Sequence, residues 1–142
     1  MKKFSYALQK ILDLRNFELD QAKAELGKVN ALIAEQNRIL QDIANNRHIV
    51  MTETDSSLHD VYYLSSVQNY FTLLDNQKEQ CLYELSKLEM EADEKREVVR
   101  KAMQKVKALE KNRERKMDAW KLENAHEAEI VLDDIVSSHA KK

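Results

Sequence analysis

Apolar residues recur at alternating spacings of four and three from Leu8 through Leu12, Leu19, Ala22, Leu26, Val29, Ile33, Leu40, Ile43 and Val50. Residues so spaced line one stripe of an α-helix, and a stripe sustained over this many turns is the seam of a coiled coil. Of its thirteen positions only Arg15, Gln36 and Arg47 are polar. A second seam reads Val67, Phe71, Leu74, Lys78, Cys81, Leu85, Leu88, Ala92, Lys95, Val99, Ala102, Val106 and Leu109, with only Lys78 and Lys95 polar. The pattern predicts an all-α chain. Residues 1–142 are expected to form a single coiled-coil domain, with helix one over about residues 4–50 and helix two over about 67–136.

The seam lapses over about residues 51–66, where the run TETDSS gathers side chains that compete for backbone hydrogen bonds and favour caps and turns. This is the expected bend, with a short helical turn near residues 58–64, and Ser65 or Ser66 is placed to cap helix two. If the chain folds back there, facing seam residues have numbers summing to 117 or 118, from Val50 with Val67 to Leu8 with Leu109. Arg15 then faces Ala102, Gln36 faces Cys81, Lys95 faces Ala22, Lys78 faces Leu40 and Arg47 faces Phe71. No polar seam residue meets another, and long polar stems can lie along the seam with their heads in water. The expectation is a long two-helix antiparallel coiled-coil hairpin of one chain, not a parallel dimer.

Beyond position 113 the second seam changes to Arg113, Lys116, Trp120, Glu123, Glu127, Ile130 and Asp134, so helix two is expected to extend past helix one as an unpaired helix of roughly 25 residues. Pairing leaves Trp120 uncovered, either as an interface anchor or incidentally. Tyr62, Tyr63, Tyr70 and Phe71 cluster by the bend, where they either plug it or present a contact.

Composition narrows the class. There is no Pro, Gly27 is the single glycine, and 34% of residues are charged, which suits long helices and leaves little for a compact mixed fold. Hydrophobic content spread along a seam builds no deep pocket, and neither a phosphate-cradling glycine loop nor a nucleophile with a plausible base is in evidence, so no enzyme and no cofactor are expected. His48, His59, His126 and His139 lack ligand partners at metal spacing, and Ile130 stands where a zinc helix motif beginning at His126 needs a second histidine. Cys81, the only cysteine, is read as a small seam residue in a reducing compartment. The start MKKFSYALQK lacks the apolar core of a signal peptide and no stretch has the length of a membrane span, so a cytoplasmic protein with no direct membrane insertion is expected.

The net charge of −2 conceals an asymmetry. Between Lys95 and Lys116 ten Lys or Arg stand against Glu97, Glu110 and Glu114, whereas residues 117–136 carry six Asp or Glu against Lys121. A basic helix beside a coiled coil raises DNA binding of the forked-helix kind, but here the basic stretch carries Val99, Val106 and Leu109 on its seam and is half of a packed pair. No nucleic acid is expected.

The opening KKFSYALQKILDLRNFELDQAKAEL, the stretch QNRILQDI, the VQNYFTLL at the start of helix two, and ALEKNRERK followed by IVLDDI together resemble the flagellar export protein FliJ family, in the expected order and over essentially the whole length. The resemblance implies a non-catalytic component of the bacterial flagellar type III export apparatus, cytoplasmic and peripheral to the inner membrane. It implies a coiled coil similar to the stalk of rotary ATPases and three partners: the hexameric export ATPase FliI, the export gate FlhA and flagellar export chaperones.

Carried onto this sequence, the family's gate-facing surface falls on Gln36, Leu40, Ile43 and Arg47 of helix one and Tyr70, Leu74, Gln77 and Cys81 of helix two. Ile43 and Arg47 stand where the family is typically aromatic. The stalk analogy puts the open end of the hairpin in the ATPase ring, and with the basic collar makes Lys2, Lys3, Arg113, Arg115, Lys116 and Trp120 the ATPase-facing candidates. The competing reading is a structural coiled coil that dimerises through its overhang, with no role in export.

Overall fold

The computed structural model describes residues 3–55 and 60–140, and these form two helices, α1 (Gln9–Asp55) and α2 (Val61–Ala140). No strand occurs among the described residues, so the all-α expectation holds. Both helices depart from the expected bounds. α1 starts five residues late because residues 3–6 are not helical; the Gln9 amide bonds the Tyr6 carbonyl at 3.1 Å across a turn at Ala7 and Leu8.

At the other end the helix continues past Val50 into the hydroxyl-rich run, as far as Asp55. Thr52 satisfies its own hydroxyl by donating to the His48 carbonyl at 2.9 Å, so it does not compete for the ladder. α2 starts earlier than expected. Its cap is Asp60, whose Oδ1 accepts from the Tyr63 amide at 2.8 Å, while its carbonyl accepts from the Leu64 amide at 3.1 Å. Ser65 and Ser66 lie inside the helix, and Ser66 Oγ donates back to the Tyr62 carbonyl. The expected bend thus shrinks to a segment whose residues 56–59, including part of the short turn expected there, lie outside the described residues.

The chain divides into two compact units. Unit 1 comprises Met1–Gln21 and Val99–Lys142, and its core is Leu12, Leu19 and Val106, closed by Val99, Ala102, Met103 and Leu109. Unit 2, Ala22–Val98, is a helical hairpin with a core of Ile43, Leu74 and Cys81, against which Ile39, Leu40, Tyr70 and Phe71 pack. Val29, Leu85 and Ala92 are buried in the same unit, Ala92 completely, as a small seam residue should be where two helices approach closely. No polar or charged side chain is buried among the described residues. The driving force is therefore the apolar seam, each well-buried side chain contributing about 1.5 to 3 kcal/mol.

The register read from the sequence appears within each unit. In unit 2 Ile43 shares a core with Leu74, and the Arg47 guanidinium lies 4.8 Å from the Phe71 ring centre. In unit 1 Leu12 shares a core with Val106, but the expected Leu8–Leu109 layer is replaced. Leu8 sits in the turn and is 38% exposed, while Tyr6 is buried and brings its hydroxyl to the Leu109 carbonyl. Once the chain leaves the helix before Gln9, the periodicity that placed Leu8 inward no longer applies.

Charges on the outer faces pair locally. Arg38 bonds Glu35 at 2.6 Å and Asp42 at 2.7 Å, and the Arg38 hydrogen bond and charge hold the Glu35 carboxyl below its usual range. A depressed carboxyl supports the helix at neutral pH and loses that support as pH falls through its lowered value. The group is fully exposed, so the effect is confined to local helicity.

Candidate functional site

Two surfaces carry the sequence candidates, one in each unit. In unit 1 the non-helical residues 3–6 form a strap along α2. An extended chain advances about 3.3 Å per residue against 1.5 Å in a helix, so these residues reach further along α2 than a helical start would. Phe4 thereby reaches Trp120, with ring centres 5.9 Å apart and planes tilted by 57°. The Arg113 guanidinium covers the same Phe4 ring at 5.5 Å, and Arg113 Nε donates to Gln9 Oε1 at 3.1 Å. Tyr6 locks the strap, its hydroxyl donating to Asn112 Oδ1 at 2.5 Å.

Trp120 is accordingly half-buried, which corrects the expectation that the chain leaves it uncovered. Beside the strap lies an open concavity of about 640 Å³ bordered by Lys3, Phe4, Tyr6, Lys116, Trp120 and Glu123. Of the ATPase-facing candidates, Lys3, Arg115 and Lys116 are exposed, Arg113 and Trp120 are engaged by the strap, and Lys2 lies outside the described residues. Lys3, Lys116 and Trp120 meet at the concavity. Arg115 instead shares a separate shallow strip of α2 with Lys107 and Lys111.

In unit 2 the eight gate-facing candidates divide by burial. Ile43, Leu74 and Cys81 form the interhelical core, and Leu40 and Tyr70 pack against it half-buried. Gln77 is exposed and Gln36 half-buried, and both border a shallow groove with Ile39, Gln80, Cys81 and Glu84. Arg47 combines its place over Phe71 with an ion pair to Asp75 Oδ1. Register reasoning found Phe71 but not Asp75, which sits one helical turn later and off the seam. Its only sequence signal is an acidic residue four positions after the aromatic partner of Arg47.

The aromatic cluster near the start of α2 also divides. Tyr70 and Phe71 pack on the core, whereas Tyr62 is 85% exposed and plugs nothing in the described structure.

Among the described residues, no helix is long and apolar enough to cross a membrane. No curated protein and no solved structure matches the chain. A family model for the flagellar FliJ protein matches residues 4–142, essentially the whole chain. The chain belongs to the FliJ family and is a protein associated with flagellar export.

Proposed function

We propose that this chain couples the export ATPase FliI to the export gate FlhA, without catalysing a reaction itself, and assists export chaperones at the inner-membrane export apparatus. Unit 1 engages the ATPase through Lys3, Arg115 and Lys116, with Arg113 and Trp120 positioning the strap beside them. Unit 2 engages the gate along the face that carries Gln36, Arg47, Tyr70 and Gln77, while Leu40, Ile43, Leu74 and Cys81 hold that face in shape.

The observation that carries this reading, beyond family membership, is that each unit offers its own accessible polar surface set on an apolar seam. Exposed cations aid encounter and orientation more than raw affinity, so the ATPase contact is expected to weaken with salt. The test pairs two variants in pull-downs against each partner. Charge reversal at Lys3, Arg115 and Lys116 to Glu should weaken FliI binding in a salt-dependent manner and leave FlhA binding intact. Gln36→Ala with Gln77→Ala should impair the gate contact alone. If both variants stay folded and lose both partners equally, or if neither loses either, the bridging role is wrong.

A further inference from the structure

The described part of α2 beyond Asn124 is exposed at every residue through Ala140. Leu122, Ala125, Leu132 and Val136, with Glu129 among them, follow the alternating three and four spacing of a helical seam, and Leu132 is 63% exposed, while Ile130, Val131 and Ile135 lie off this stripe. Traced back toward residue 101, the same stripe continues through Asp118, Arg115, Lys111, Ala108, Gln104 and Lys101. This is the face of α2 turned away from α1, since Val106 is buried in the α1–α2 core with Leu109 packed against it, whereas Ala108, Lys111 and Arg115 are exposed.

Charge reverses midway along α2: residues 99–116 carry eight Lys or Arg against Glu110 and Glu114, and residues 117–140 carry six Asp or Glu against Lys121. On the stripe itself Lys101, Lys111 and Arg115 precede Asp118 and Glu129. Among the described residues, none of Lys101, Lys111, Arg115 and Glu129 has an ion-pair partner in its own chain.

We propose that this stripe is a docking surface for a second copy of the chain, the two α2 helices lying antiparallel about a two-fold axis near Trp120. Two-fold pairing brings residues whose numbers sum to about 240 together and makes each contact twice. Glu129 then faces Lys111, Leu132 faces the small Ala108, and Val136 lies along the aliphatic part of Gln104. At the axis Leu122 of each copy lies beside Asp118 of the other.

The choice of occupant rests on charge. Parallel pairing would set the basic stretch against itself and the acidic stretch against itself, and antiparallel pairing of the acidic stretches alone would do the same. Pairing across the junction matches both, and the complementary surface is carried by the chain itself at the same helical spacing. The apolar area is small and the ion pairs are exposed, so the association is weak and salt-sensitive. Arg115 also belongs to the ATPase-facing set, so self-association would withhold that surface from the ATPase. This corollary rests on the function proposed above, whereas the pairing does not.

The test is sedimentation equilibrium of the full chain at low and high salt. Dimerisation is expected at low salt, weakening by about tenfold as salt is raised through the range that screens exposed ion pairs. Two charge-reversed chains follow, one with Lys101→Glu, Lys111→Glu and Arg115→Glu, the other with Asp118→Lys, Glu129→Lys and Asp133→Lys, the last one helical turn after Glu129 at the edge of the stripe. All six positions are exposed, so both chains should keep wild-type helicity by circular dichroism. Each alone should be monomeric, and an equimolar mixture should form a heterodimer, because the reversed basic face of one then meets the reversed acidic face of the other. A wild-type chain that stays monomeric at low salt up to its solubility limit would overturn the proposal. So would dimers that both variants leave intact, or a mixture that fails to associate.

Discussion

Gly27→Ala should stabilise this protein. Gly27 lies in the interior of α1, off the seam and exposed, and no residue of the described backbone has a positive φ. A methyl group added there meets nothing within 4 Å, so the substitution neither clashes nor buries new surface. The remaining difference is backbone entropy and helix propensity, which favours Ala over Gly by about 0.8 to 1 kcal/mol in a helix interior. For a chain of this size, about 1 kcal/mol corresponds to a rise in Tm of roughly 3 to 6 °C if unfolding is two-state. Thermal melting followed at 222 nm, together with a urea midpoint at unchanged slope, measures the effect. An unchanged or lowered midpoint would mean that Gly27 meets a constraint absent from this structure, and the account of α1 as a continuous, unstrained helix there would fail. Paired with a motility assay, the same variant asks whether a softer helix at Gly27 is used: a more stable but less motile strain would identify it as a flexible point.

Two further changes probe the cores of the two units. Leu74→Ala removes a side chain only 3% exposed from the Ile43–Cys81 core and should cost about 2 to 3 kcal/mol, read as a lower urea midpoint; any loss of gate binding should be recovered at lower temperature, where the unit is folded. Tyr6→Phe leaves the ring in place but deletes the bond to Asn112, costing about 1 kcal/mol, and should increase Trp120 fluorescence quenching by acrylamide as the strap loosens; unchanged quenching would show that Phe4 alone holds the strap.

Seam periodicity reports side-chain direction only while the chain remains helical, and the places where it misled are where the helix stops or starts. Leu19, Ile43, Leu74, Cys81 and Val106 are legible because each lies well inside its helix, where a 4,3 spacing has one physical solution, and Leu12 is legible because the first turn of α1 already includes it. Leu8 is not, because its inward direction presumes a helical start at Phe4. The non-helical strap buries Tyr6 and half-buries Phe4 against α2, whereas a helical first turn would bury one leucine. The same logic explains Asp60. Serines at 65 and 66 looked like caps because the seam begins at Val67, but a cap is needed where the backbone starts to turn, and Asp60 supplies it one residue before Val61.

The candidate surfaces were less legible for a related reason. A seam position is defined by what it faces within its own chain, so the residues that a spacing argument ranks highest are those the core uses first. Ile43, Leu74 and Cys81 are in that position, and a partner at unit 2 meets their neighbours before it meets them. Arg47 shows the intermediate case: its guanidinium is held on one side by Phe71 and on the other by Asp75, yet its side chain keeps 42% of its surface exposed. A residue so placed is fixed in direction at little cost in further ordering when something binds. It offers a partner the planar face of a cation in place of the aromatic ring that the resemblance led one to expect at that position. A gate surface that reads position 47 through stacking can therefore accept this chain. One that reads it through burial of an apolar ring cannot, and Arg47→Tyr distinguishes the two. Binding to the gate that is unchanged or reduced by the substitution fits stacking on the cation, whereas a marked gain would show that the site is built for a ring.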